Sequence, residues 1–204
     1  MPKKRSIERD IEAFCGWDFL EKLAGASSHY LDGEVISGLF LTGCRVSELI
    51  MLRRENFRLN VHPELVVVER APVIKRYSRK LRKRYVEYRT FCFRRDEPLV
   101  PLLLKRLKSA KTFLYPFTRQ GIFYAVRRVG DIVNMPVPFS NIHSSQLYPH
   151  WFRAQRARQL KYDYGFSDEM LRDWFGWKFR SEGMPAIYGK YSYLEFAKQM
   201  GVEV

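Results

Sequence analysis

Acidic residues are in short supply in this chain: 22 aspartates and glutamates stand against 36 lysines and arginines, a formal net charge of +14. That imbalance points to a polyanion, most simply nucleic acid. A basic surface would also suit anionic lipid, but no basic amphipathic membrane helix stands out. No apolar run approaches the ~20 residues of a membrane span. The basic start, Met1-Pro2-Lys3-Lys4-Arg5, is not followed by an apolar signal core. A cytoplasmic, intracellular location and no membrane partner are therefore expected. Cysteine is scarce too. Cys15, Cys44 and Cys92 are odd in number and scattered, which fits neither a disulfide framework nor a zinc motif. They are expected as small buried apolar residues. The four histidines lack ligand-like partners, so no metal site is expected. The chain also lacks internal repeats, low-complexity segments and any Pro/Gly/Ser-rich linker long enough to divide it. One domain over residues 1–204 is expected, with enough apolar sequence for a substantial core.

What is present reads as mainly α with a small antiparallel β-sheet, an α+β fold. Residues 7–24 form a helical pattern with Ile7, Ile11, Phe14, Phe19, Leu20 and Leu23 inward, broken over residues 25–28. Short helices are expected over residues 34–41 and 45–54. Leu65-Val66-Val67-Val68 is a β-type run that continues through Pro72 to Lys75, the proline marking an edge strand or a bulge. A second β-type segment covers residues 85–93. Between the two lies a tip that is basic at six of nine positions: Arg76, Arg79, Lys80, Arg82, Lys83 and Arg84. It reads as a polyanion contact or as a solvated loop. Helices follow over residues 98–110 and from an N-cap at Thr118 to Val133, with Ile122, Ala125, Val126 and Val129 inward. Arg119, Arg127 and Arg128 are expected on the exposed face of the latter. Residues 134–140 are a loop.

The stretch from His150 to Tyr188 organises the rest. His150 and Arg153 are three apart and share a helical face, and Trp151, Ala154, Ala157, Leu160 and Tyr164 continue the helical beat. Ser167 is an N-cap residue for a second helix, with Asp168 and Glu169 suiting its dipole. Met170, Leu171, Trp174 and Phe175 are its inward face, and Gly176 stops it. Upstream, Thr42-Gly43-Cys44-Arg45-Val46-Ser47-Glu48 places Arg45 and Glu48 three apart, a spacing that by itself is also that of a surface ion pair.

These segments together resemble the catalytic domain of the tyrosine recombinases, the phage-integrase family. That family carries an arginine in Thr-Gly-x-Arg-x-x-Glu, then His-x-x-Arg, then Gly-His or Gly-Trp, then a nucleophilic tyrosine. This chain has Thr42-Gly43-Cys44-Arg45 with Glu48, His150 with Arg153, Gly176-Trp177, and Met184-Pro185-Ala186-Ile187-Tyr188, in that order. No single motif is specific; the ordered set is, and it covers nearly the whole chain. The Gly-Trp…Met-Pro-x-x-Tyr arrangement is similar to that of some archaeal-type integrases.

The resemblance implies a site-specific recombinase or integrase that cuts and rejoins DNA through a 3′-phosphotyrosyl intermediate, with no cofactor. Arg45 and Arg153 would hold the phosphate, a role that suits a permanently charged planar fork. His150 would be an acid/base or positioning donor. Trp177 would position the phosphate, since an indole N–H donates but cannot shuttle a proton. Tyr188 would be the nucleophile, with Tyr191 and Tyr193 as alternatives. Lys75 is the choice for general acid, with Lys80 and Lys83 as rivals, and Glu48 would brace the cations. Double-stranded DNA and a homo-oligomer, a tetramer on DNA, are the implied partners. The spacing from Trp177 to Tyr188 is longer than usual by a couple of residues. Set against the resemblance, the family's N-terminal core-binding domain is expected to be absent from this sequence, which would make it either a fragment or a minimal recombinase. A non-catalytic DNA-binding protein on the same fold and an RNA-binding protein are the rival readings. In the tail, Leu194, Ala197, Met200 and Val204 approach one helical face, which would dock on a neighbouring subunit or on its own domain.

Overall fold

Helices and one small antiparallel sheet make an α+β fold. The computed structural model describes residues 13–74, 86–177 and 191–204. Helix α1 (Trp17–Gly25) is shorter than its sequence pattern, and the preceding described residues are not helical. Gly16, at φ +86°, breaks the helical path there. Ile7 and Ile11 lie outside the described residues. Helix α2 (Asp32–Thr42) is buried along its whole length and packs against α1, α4 (Val100–Ser109), α5 (Arg119–Val133) and α6 (Pro149–Tyr162). It is the axis of the apolar core, in which Leu20, Ile36, Phe40, Leu103, Val126 and Phe152 meet.

Two acidic groups on α2 are buried as well, and each finds a cation. Arg128 holds Asp32 at 2.5 and 3.1 Å, and Lys105 holds Glu34 at 3.0 Å. Arg128 is therefore committed to an internal carboxylate, whereas Arg119 and Arg127 are exposed as expected.

The helix expected over residues 45–54 stops early: α3 is only Val46–Leu49. The backbone beyond it pairs elsewhere, with Leu114 N–H donating to Leu52 O (2.8 Å) and Arg54 N–H to Thr112 O (2.9 Å). Long-range pairing has replaced the next helical turn. The sheet has strand order β1 (Phe57–Arg58), β2 (Leu65–Ile74), β3 (Val86–Arg94), all antiparallel. The register slips between Val68 and Ala71, and Arg70 there takes φ +52°. This bulge, and the side of β2 that pairs with no strand of the described residues beyond β1, accommodate Pro72.

Helix α7 (Asp168–Phe175) is capped as its sequence predicts. Met170 N–H donates to Ser167 Oγ at 3.1 Å, and Gly176 ends it at φ +66°. The tail forms α8 (Tyr193–Gln199), which packs on its own chain. Phe196, Ala197, Met200 and Val202 are buried, and Phe196 stacks on Phe166 at 5.7 Å. Leu194 and Val204, expected on one face with Ala197 and Met200, are exposed while those two are buried; the inward face is set by Phe196. All three cysteines are buried free thiols. Among the described residues no helix is long and apolar enough to cross a membrane.

Candidate functional site

The site starts at the end of α2. Gly43 turns the chain at φ +54°, and a Cβ there would run into the ring of Phe175, so only glycine fits. The turn delivers Arg45 in extended conformation at the N-terminus of α3. Glu48, one turn on, reaches back. Its Oε2 accepts from Arg45 N–H at 2.8 Å, and its Oε1 accepts from Arg45 Nη1 at 2.7 Å. Oε1 also accepts from Ile74 N–H at the end of β2, at 3.2 Å. Glu48 is fully buried, while the Arg45 side chain is 42% exposed. The pair is thus a buried anion steering a cation that faces solvent, unlike a surface ion pair, whose two members are both hydrated.

Helix α6 supplies the next two groups. Pro149 occupies its first turn, where a missing N–H costs nothing. His150 follows it and is exposed. Partial desolvation and the neighbouring Arg153 and Arg45 guanidinium groups pull the His150 pKa below its ordinary value, against a smaller opposing pull from Glu48. The imidazole is therefore neutral at physiological pH and able to accept a proton.

One turn further on, Arg153 is 1% exposed. Its Nη1 donates to Gly43 O and approaches Glu48 Oε2 at 3.5 Å, and its Nη2 donates to Phe175 O at 2.9 Å. Burial and then the nearby Arg89 lower its pKa to about 9, which still leaves it charged at neutral pH. Its guanidinium lies 4.8 Å from the Phe175 ring centroid and 5.8 Å from that of Trp177. Trp177 stacks on Phe175 at 4.8 Å with 11° between the planes, and is 39% exposed.

Five expected residues from distant parts of the chain thus come together. Arg45, His150 and Trp177 form the outer surface, with Glu48 and Arg153 beneath. Lys75, Arg76, Arg79, Lys80, Arg82, Lys83, Arg84 and Tyr188 lie outside the described residues. Of the alternative tyrosines, Tyr191 donates its backbone N–H to Asp173 at 2.9 Å and stacks its ring near Phe196 at 6.2 Å. Tyr193 opens α8 and packs against the core.

A group that sequence reasoning passed over is Arg89. It is 7% exposed on β3, facing α7. The signal for it was available: alternation along a strand puts position 89 on the same face as Phe91 and Phe93, both buried. With Arg45 and Arg153 both on the carboxylate of Glu48, positive charge exceeds negative within this described group, which suits an anion bearing several acceptor oxygens. Among the described residues, no three His, Cys, Asp or Glu side chains are grouped to hold a metal ion. No protein-family model matches this chain, and no curated protein matches it.

Proposed function

We propose that this chain is a site-specific DNA strand transferase of the tyrosine recombinase type, working through a 3′-phosphotyrosyl intermediate. The observation that carries the reading is the meeting of Arg45, Glu48, His150, Arg153 and Trp177 at one place, from segments more than a hundred residues apart. Binding a phosphate on a surface needs only exposed cations. A neutral histidine beside a braced arginine pair adds a proton acceptor to a charge clamp, which is what attack by a phenol on a phosphodiester requires.

In this reading the Tyr188 oxygen attacks the phosphorus and its proton passes to His150 as the base. The bond to the 5′-oxygen breaks, and that oxygen takes a proton from Lys75. Arg45 meets the non-bridging oxygens, and Arg153 adds charge from beneath. The phosphotyrosyl link conserves the energy of the broken bond, so a 5′-hydroxyl can reseal the strand. The partners are double-stranded DNA and further copies of the chain, as a tetramer on DNA.

The test is a duplex carrying a nick beside the cleavage position, so that the released fragment diffuses away and traps the intermediate. The expected product is a protein–DNA adduct that survives SDS. Binding without an adduct would favour the non-catalytic DNA-binding reading, and preference for RNA without an adduct would favour an RNA-binding protein.

A further inference from the structure

Arg89 and Arg153 hold the ends of the same two helices. Arg89 Nη2 donates to Thr42 O at 3.0 Å, and its Nη1 donates to Trp174 O. Arg153 donates to the next carbonyl on each side, Gly43 and Phe175. Two guanidinium groups thus bridge two pairs of consecutive carbonyls, one at the C-terminus of α2 and one at the C-terminus of α7. These carbonyls lack intrahelical partners and lie at the negative ends of the helix dipoles. That explains how a cation can be buried here when, among the described residues, no carboxylate pairs with Arg89. Aromatic faces complete its surroundings: its guanidinium lies 4.3 Å from the Phe91 centroid and 5.3 Å from that of Trp174.

The geometry matters because each helix end leads directly into a residue of the site. Three residues beyond Thr42 stands Arg45, and three beyond Trp174 stands Trp177. Cys44, between Thr42 and Arg45, lies 3.5 Å from Arg89 Nη2. We propose that Arg89 is a positioning residue for the site: with Arg153 it closes a two-arginine clamp that holds Arg45 and Trp177 in register on one face. Arg89 itself touches no DNA. The inference rests on the recombinase reading for its catalytic consequence, while the clamp itself can be tested without DNA.

The experiment uses the full chain with Arg89→Met, which keeps length and apolar contact but removes the fork, and Arg89→Lys, which keeps the charge and can reach one carbonyl. Three quantities are measured: amide hydrogen exchange, affinity for a duplex, and the single-turnover rate of adduct formation. In Arg89→Met, exchange should quicken at residues 43–48 and 174–177 while α4 and α5 stay protected. Duplex affinity should stay within about twofold, because a buried group makes no phosphate contact. The adduct rate should fall about a hundredfold, the scale of a displacement near 1 Å in a reacting site, and Arg89→Lys should recover part of it.

Unchanged exchange at either helix end overturns the clamp. Loss of protection in α4 and α5 together with falling affinity and rate would make Arg89 a general structural residue and overturn its positioning role. If Arg89→Met does not fold, Arg89→Lys decides: a reduced rate at unchanged affinity supports the proposal, and an unchanged rate overturns it. Absence of an adduct from the unsubstituted chain is a failure of the recombinase reading, and the clamp is then judged by exchange alone.

Discussion

Glu48 and Arg153 stand 105 positions apart in sequence and 3.5 Å apart in the interior, both almost wholly removed from water. Glu48 also holds Arg45 and the end of β2, so one carboxylate joins three elements of the site. Replacing it by alanine leaves Arg153 buried without its counter-charge, which costs about 3–5 kcal/mol. Urea unfolding of Glu48→Ala should show a loss of that size. Replacing both partners, Glu48→Leu with Arg153→Met, should regain only part of the stability, because the Gly43 and Phe175 carbonyls lose their donor, and should form no adduct. A loss under about 1 kcal/mol for the alanine variant, the range of an exposed pair, would mean that the carboxylate does not hold the site together.

Tyr188→Phe should bind duplex normally and form no adduct, since it keeps the ring and removes only the oxygen. Tyr191→Phe should still couple. Tyr191 is already engaged, its N–H on Asp173 and its ring near Phe196. If Tyr188→Phe couples and Tyr191→Phe does not, the assignment is reversed; if both couple, neither is the nucleophile.

The depressed pKa of His150 fixes the pH behaviour. Only the neutral imidazole accepts the tyrosine proton, so the second-order rate of adduct formation at sub-saturating duplex, which reports the DNA-free chain, should fall as pH drops, with its midpoint below the ordinary histidine value of 6.5. His150→Gln should remove this acid limb and slow the reaction across the whole range. Linkage has the same direction: the unfolded chain binds the proton more readily than the folded one. Stability is therefore fully present above 6.5 and declines as pH falls through the depressed value. A midpoint above 6.5 in the wild type would contradict the arginine environment described for this group.

Duplex binding should weaken steeply with salt, each neutralised phosphate contributing about −0.9 to the log–log slope. Alanine at Arg79, Lys80, Arg82 and Lys83 together should flatten that slope. An unchanged slope would remove this segment from the DNA interface, and a flat wild-type dependence would remove electrostatics as the main source of affinity.

The tail is part of its own core. Phe196 is fully buried beside Phe166, Gln199 Nε2 donates to Tyr164 O at 2.7 Å, and Arg94 Nη1 donates to Met200 O at 3.0 Å. Phe196→Ala should therefore lower stability by about 3–5 kcal/mol, read from thermal or urea unfolding of the chain without DNA. A tail that acted only between subunits would leave that measurement unchanged and alter assembly on DNA alone.

Local chemistry made several elements legible in advance. Ser167 and Gly176 bracket α7, Thr118 caps α5 through a bond from Gly121 N–H, and the valine run with Pro72 marked a strand with an edge or a bulge. Each of these signals acts between residues a few positions apart, where backbone geometry links them directly. The Arg45–Glu48 pairing is local as well, though Arg45 precedes α3 in extended conformation and Glu48, one turn on, reaches back to its N–H. The early end of α3, the internal commitment of Arg128, the choice of Phe196 over Leu194 and the clamp made by Arg89 with Arg153 were decided by tertiary structure. They turn on partners tens to more than a hundred residues away: Thr112 for Arg54, Asp32 for Arg128, Phe166 for Phe196, and the carbonyls of Thr42 and Gly43 for the two arginines. Spacing records which residues share a local face. It does not record which remote carbonyl or carboxylate will meet a buried cation, and in a dry interior that meeting decides where a charged side chain can stand.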